Sequence, residues 1–128
     1  MSFKTTLMLG ALLLGAQAAQ ADATLDAQMK ALALRSGCLT CHHIESGAKS
    51  ADGSKPIGPN WQDVAHKYKG QAQALDTLVQ TVMQGSNPYN SHWKGQASGL
   101  AMPPNEVAIK EADARQLVGW ILKLDAPK

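Results

Sequence analysis

The chain has 128 residues, of which 45% are hydrophobic and 17% charged, and its formal net charge is +2. That balance lacks the dense positive field by which proteins hold nucleic acid, so no nucleic-acid partner is expected. Only two cysteines are present, which excludes a zinc site of four thiolates within the chain.

Lys4 is the only charged side chain before Asp22, and an apolar run rich in Leu and Ala follows it over residues 5–16. Ala19-Gln20-Ala21 then forms an A-x-A cleavage pattern. This order reads as a secretory signal peptide, residues 1–21, cut before Asp22. The run is too short to span a bilayer comfortably, so no stable membrane insertion is expected after cleavage. The expected address is the periplasm. Residues 22–128 remain as one small domain with a modest core.

Within that domain the apolar residues recur with helical spacing, and no strand-type alternation or internal repeat stands out. Thr24 is placed to cap a first helix that carries Leu25, Met29, Leu32 and Ala33 and runs toward Gly37. Cys38-Leu39-Thr40-Cys41-His42 comes next. On a helical turn, residues three and four apart share a face, so Cys38, Cys41 and His42 point together at one flat object. C-x-x-C-H reads as a covalent c-type haem attachment site. The two thiols add to the haem vinyl groups as thioethers, and the imidazole becomes the proximal iron ligand. The expected cofactor is one covalently attached haem c per chain.

Other uses of the two cysteines fit less well. A zinc site with two histidines needs a histidine pair at short spacing away from the cysteines. Here His42 and His43 adjoin them, while His66 and His92 stand far apart. A thioredoxin-like site needs strand–helix alternation. Thioether attachment in bacteria follows export, so both ends of the chain agree on a periplasmic address, and with both cysteines consumed by haem an oxidising compartment adds no disulfide.

Residues 45–56 form a polar loop. Asn60 can cap a short helix with Trp61, Val64, Ala65 and Tyr68, stopped at Gly70. A third helix over 74–84 places Leu75, Leu78, Val79, Val82 and Met83 on one side and ends at Gly85. Residues 86–105 are irregular. A last helix over 110–124 carries Leu117, Val118, Trp120, Ile121 and Leu124 and is closed by Pro127. The fold class is all-α, about four helices with long loops. A long structureless loop is unusual in so small a domain, and a cofactor that organises it from inside explains it.

A haem iron in an electron carrier usually takes a sixth ligand. The candidates are Met29, Met83, Met102, His43, His66 and His92. His43 neighbours the proximal ligand and cannot reach the other face. Met29 and Met83 fall on helix faces that look like core. Met102 lies in a loop directly before Pro103-Pro104, whose fixed φ angles stiffen the segment. Met102 is therefore the expected distal ligand, ahead of His66 or His92.

Together these elements resemble the small bacterial class I cytochromes c. The shared features are Cys38-Leu39-Thr40-Cys41-His42, Gly58-Pro59, Met102-Pro103-Pro104-Asn105 and Gly119-Trp120-Ile121-Leu122, which span nearly all of 22–128. The resemblance implies the class I cytochrome c fold around one haem and a one-electron carrier with a His/Met-ligated iron rather than an enzyme. It implies that the Pro59 carbonyl accepts a hydrogen bond from the His42 ring. It makes Asn105 a candidate partner of the Met102 sulfur and Trp93 a candidate donor to a haem propionate. The stretches 44–56 and 87–99 are longer than in the smallest members, and Trp93 stands at a different spacing from Met102. Two other readings stay open: a cytochrome c subunit of a periplasmic dehydrogenase, and a haem enzyme or gas sensor with an open sixth position. The expected partners are redox proteins, electron donor and acceptor, docking on a rim of Leu39, Thr40, Ile57, Gly58, Ala101 and Pro103. Lys49, Lys55, Lys67, Lys69 and Lys94 serve solubility or steer an acidic partner.

Overall fold

A computed structural model describes the backbone of residues 8–125 and the side chains of residues 19–125. Residues 1–7 of the expected signal peptide, and Pro127 at the expected end of the last helix, lie outside the described residues. Four helices follow in order: α1 (Met8–Arg35), α2 (Trp61–Tyr68), α3 (Ala74–Gln84) and α4 (Glu111–Ile121). Two short 3-10 turns, Cys38–Thr40 and Pro88–Asn90, interrupt the loops. Among the described residues there is no strand, only an isolated bridge between Lys94 and Ala97. None of the described helices is long and apolar enough to cross a membrane.

The amphipathic spacing read from the sequence sets the packing. Met29, Leu32 and Ala33 lie at i, i+3 and i+4 on α1 and are buried. They meet Leu117, Trp120 and Ile121 of α4 and Trp61 and Val64 of α2 in one cluster. Each large aliphatic or aromatic side chain buried here contributes about 1.5–3 kcal/mol. α3 packs chiefly on α4, with Leu78, Val82 and Met83 only partly covered by the cluster. An exposed ion pair, Arg115 Nη1 to Asp76 Oδ1 at 2.7 Å, joins these two helices at their surface and adds little.

Two local expectations change. Thr24 does not start α1, because the helix already runs through it; its hydroxyl donates to the Gln20 carbonyl at 2.8 Å. A threonine inside a helix commonly bonds the carbonyl four residues back. Asn60 does stand at the N-cap of α2, but its side chain makes no cap bond. Its Nδ2 donates instead to the Ala48 carbonyl at 3.2 Å, which fastens the 44–56 loop to α2. Ser46 strengthens that join through its N–H to Gln62 Oε1 at 2.9 Å and its hydroxyl to Asp63.

One polar contact ties the first helix to the last. The Trp120 indole N–H donates to Asp26 Oδ1 at 2.7 Å. Trp120 is buried, so removing the acceptor strands a donor with little access to water. Asp26→Ala is expected to lose about 1.5–3 kcal/mol in a denaturant titration, and Asp26→Asn to recover part of it.

Candidate functional site

Chain turns and helix faces enclose a cavity of about 570 Å³, within the range of small-molecule and cofactor sites. Cys38, Cys41 and His42 line it from the turn that follows α1. Gly37 opens that turn with φ 75°, a left-handed conformation that residues with a Cβ avoid. The N–H groups of Cys41 and His42 both donate to the Cys38 carbonyl, at 3.2 and 3.1 Å. This tight turn is what brings both thiols and the imidazole to one wall. Burial pushes the Cys38 thiol up, against a backbone hydrogen bond that lowers it, so it stays a neutral thiol.

The His42 ring is held from three sides. Its Nδ1 lies 2.7 Å from the Pro59 carbonyl. With that N–H donated, Nε2 keeps its lone pair for a metal. The ring stacks on Trp61 at 5.8 Å between centroids, and Trp61 meets Trp120 edge-on at 6.0 Å. Gly58 packs flat against the ring while its N–H donates to the Cys41 carbonyl at 2.7 Å. Burial drives the His42 pKa below its usual value, His43 adds to this, and the hydrogen bond to Pro59 opposes it. The imidazole is thus neutral at pH 7, the form that binds metals. A Cβ on Gly58 would run into the imidazole. Gly58→Ala is expected to displace the ring and lower severalfold the yield of protein carrying the expected haem, read from the visible spectrum of the purified protein.

Met102 reaches the same cavity from a loop pinned to the end of α3. Gly85 ends that helix with φ 84°, and a Cβ there would sit 2.8 Å from the Met102 carbonyl oxygen and 3.0 Å from Pro104 N. Ser86 then grips Met102 twice: its N–H donates to the Met102 carbonyl at 2.9 Å, and its Oγ accepts from the Met102 N–H at 2.8 Å. Asn105 closes the loop. Its N–H donates to the Val82 carbonyl at 3.0 Å, and its Nδ2 donates to the carbonyls of Val82 and Pro103 at 3.2 and 2.6 Å. Both amide hydrogens of Asn105 are therefore engaged with backbone.

Trp93 also lines the cavity, partly buried, with Lys67 Nζ 5.7 Å from its ring centroid. Beside it, His92 Nε2 lies 3.2 Å from the Tyr68 hydroxyl, and burial pushes the Tyr68 pKa up. Cys38, Cys41, His42, Pro59, Trp93, Met102 and Asn105 are thus neighbours of one cavity. Among the rejected ligands, Met29 is core and His66 faces a separate hollow beside Leu122 and Asp125, while His92 does reach the cavity. Of the expected rim, Ile57, Gly58, Ala101 and Pro103 line the cavity, whereas Leu39 and Thr40 lie outside its lining. The close approach of Gly85 to the Met102 loop, the grip of Ser86 and the stacking of Trp61 on His42 escape the sequence reading. A glycine and serine directly after a helix is the one pattern that points to the first two.

Among the described residues, three or more His, Cys, Asp or Glu groups nowhere gather to hold a bare metal ion. The cavity instead offers the neutral His42 imidazole, a second imidazole from His92, the Met102 thioether, two thiols and mostly apolar walls. That set suits an iron whose remaining bonds come from a flat apolar macrocycle. A family model described as Cytochrome c matches residues 17–125. The chain belongs to the cytochrome c family. It is 40% identical over 93 residues to cytochrome c-551 of Allochromatium vinosum, covering 73% of this chain and 82% of that protein. It is 35% identical over 112 residues to cytochrome c-552 of Nitrosomonas europaea, covering 88% of this chain and 86% of that one. The crystal structure of wild-type Nitrosomonas europaea cytochrome c552 superimposes with a TM-score of 0.57 at 34% identity, over 75% of this chain and 99% of that chain. The four helices, with no strand among the described residues, make this a class I cytochrome c fold. The family carries covalently attached haem c, and haem c is the cofactor of this cytochrome.

Proposed function

We propose that this cytochrome is a periplasmic one-electron carrier, rather than an enzyme, whose haem iron is held between His42 Nε2 and Met102 Sδ. The observation that carries the reading is that His42, Met102 and both cysteines line one cavity. Cys38 and Cys41 would form the thioethers, and the bound haem would supply the one-electron couple. The work of the chain is to hold and tune that couple. The Pro59 carbonyl orients the imidazole and makes it a better donor. Ser86 and the two prolines keep a weakly bonding thioether in place. A thioether ligand and apolar walls both disfavour the extra positive charge of ferric iron, which raises the potential. Trp93 offers its indole N–H to a haem propionate, and Asn105 acts on Met102 through the shape of the loop.

Electrons would pass at the cavity mouth. Ile57 and Leu100 both line the cavity and are 48% and 83% exposed, which is apolar surface suited to a weak contact with redox proteins. Residues 1–21 would be removed on export. Cutting before Asp22 takes away Gln20, so the Thr24 hydroxyl is released from that carbonyl and becomes available to cap the new helix start.

Two measurements test this. A potentiometric titration of the purified protein is expected to follow a single reversible one-electron curve with no ligand loss. Mass spectrometry of the periplasmic fraction is expected to find a chain beginning at Asp22 and heavier by one haem. A spectrum that changes coordination between oxidation states, or a haem protein retained in the cytoplasm, contradicts the reading.

A further inference from the structure

The segment beside His42 and the segment leading to Met102 are fastened directly to each other. Ser98 N–H donates to the Pro56 carbonyl at 2.8 Å, and Gly99 N–H donates to the Ile57 carbonyl at 2.9 Å. The Ser98 hydroxyl adds a third bond to Pro56 O at 3.2 Å. The backbones come so close that a Cβ on Gly99 would stand 2.6 Å from Ile57 O and 3.1 Å from Ile57 Cγ2. Both sides of this strap belong to loops, 44–56 with its exit at Ile57 and 87–99, whose described regular structure is limited to the Pro88–Asn90 3-10 turn and the Lys94–Ala97 bridge.

What lies beyond each side gives the strap its meaning. One residue past Ile57, Gly58 packs on the His42 ring, and one further, Pro59 O receives its Nδ1–H. Three residues past Gly99 is Met102, gripped from its other side by Ser86. We infer that the pairing of 56–57 with 98–99 is a positioning clasp: it fixes the separation of the His42 and Met102 segments and so keeps the Met102 sulfur at bonding distance from iron. Loop entropy gives the clasp its effect. Without the clasp, residues 87–101 keep their ends and the side-chain contacts of His92 with Tyr68 and of Trp93 with Lys67, but the 98–101 segment loses its backbone anchor and gains conformations in which the sulfur is off the metal. A thioether is a weak ligand, so a modest change in loop freedom moves this balance. The inference rests on the proposed His42/Met102 ligation.

The test uses the exported, haem-loaded protein. Gly99→Ala pushes the two backbones apart, and Ser98→Ala removes only the hydroxyl bond. The near-infrared sulfur-to-iron band of the oxidised protein is followed with temperature, beside far-ultraviolet dichroism as the reading of global unfolding. Carbon monoxide association with the reduced protein is measured in parallel. Gly99→Ala is expected to lose the band at a lower temperature than the wild type, well before the helices melt, and to bind carbon monoxide about tenfold faster, the effect of losing roughly two backbone hydrogen bonds. Ser98→Ala is expected to move both readings the same way by about twofold. If Gly99→Ala fails to assemble, Ser98→Ala decides alone. Band loss that coincides with helix melting as in the wild type, together with an unchanged carbon monoxide rate, overturns the clasp. A wild type with no band at any temperature instead overturns the ligation beneath it.

Discussion

Met102→Ala is expected to abolish the near-infrared sulfur-to-iron band and to lower the midpoint potential by on the order of 0.1 V or more. The direction follows from the donor. A thioether favours ferrous iron relative to water, hydroxide or a nitrogen ligand, so its loss stabilises the ferric state. Carbon monoxide and cyanide should then bind readily. The fold should survive, because the bonds of Ser86 to the Met102 main chain and of Asn105 to the Val82 carbonyl do not use the methionine side chain. The one complication is His92, which lines the same cavity and is a better ligand than water. If His92 captures the iron in this variant, the spectrum becomes that of two nitrogen ligands and the potential falls further; Met102→Ala with His92→Ala separates the two cases. A variant with unchanged spectrum and potential removes Met102 from the iron.

Cys38→Ala combined with Cys41→Ala is expected to yield a chain without covalent haem and without most of its helical signal in far-ultraviolet dichroism. The core explains the size of the effect. Among the described residues no large side chain is completely enclosed, and Leu78, Val82, Met83, Trp93 and Tyr68 are only partly covered. Several of these face the cavity, so their burial depends on what fills it. A domain this small has a net stability of about 5–15 kcal/mol at best, and the cofactor's contacts are a large share of it. A haem-free variant that keeps compact helices and a cooperative melt contradicts this account of the core.

The helices were legible in the sequence because their signals are local. Gly70 and Gly85 end α2 and α3 where expected, and the i, i+3, i+4 pattern of Met29, Leu32 and Ala33 faces the core. The last helix is shorter than its apolar pattern, ending at Ile121 with Leu124 packed from the turn beyond. In the full chain α1 runs through the expected start at Thr24, since a threonine hydroxyl bonds equally well as a cap or to the carbonyl four residues back. The cavity was legible in part, since C-x-x-C-H and the methionine before two prolines, singled out in the sequence, all line it. Its scaffolding was not. Ser86 and Met102 are sixteen residues apart, and Ser98 and Pro56 forty-two, and no periodicity reports a backbone bond between irregular loops. Gly58 and Gly99 carry the same lesson: each is a glycine because another group occupies the space of its Cβ, which only the folded chain reveals.

The central claim is that one iron sits between the His42 imidazole and the Met102 sulfur. The near-infrared absorption of the oxidised wild-type protein tests it most directly, read together with the visible spectrum for spin state. The account predicts a low-spin ferric haem with a sulfur-to-iron band that disappears in Met102→Ala. A high-spin ferric spectrum, or a low-spin one without that band, contradicts it.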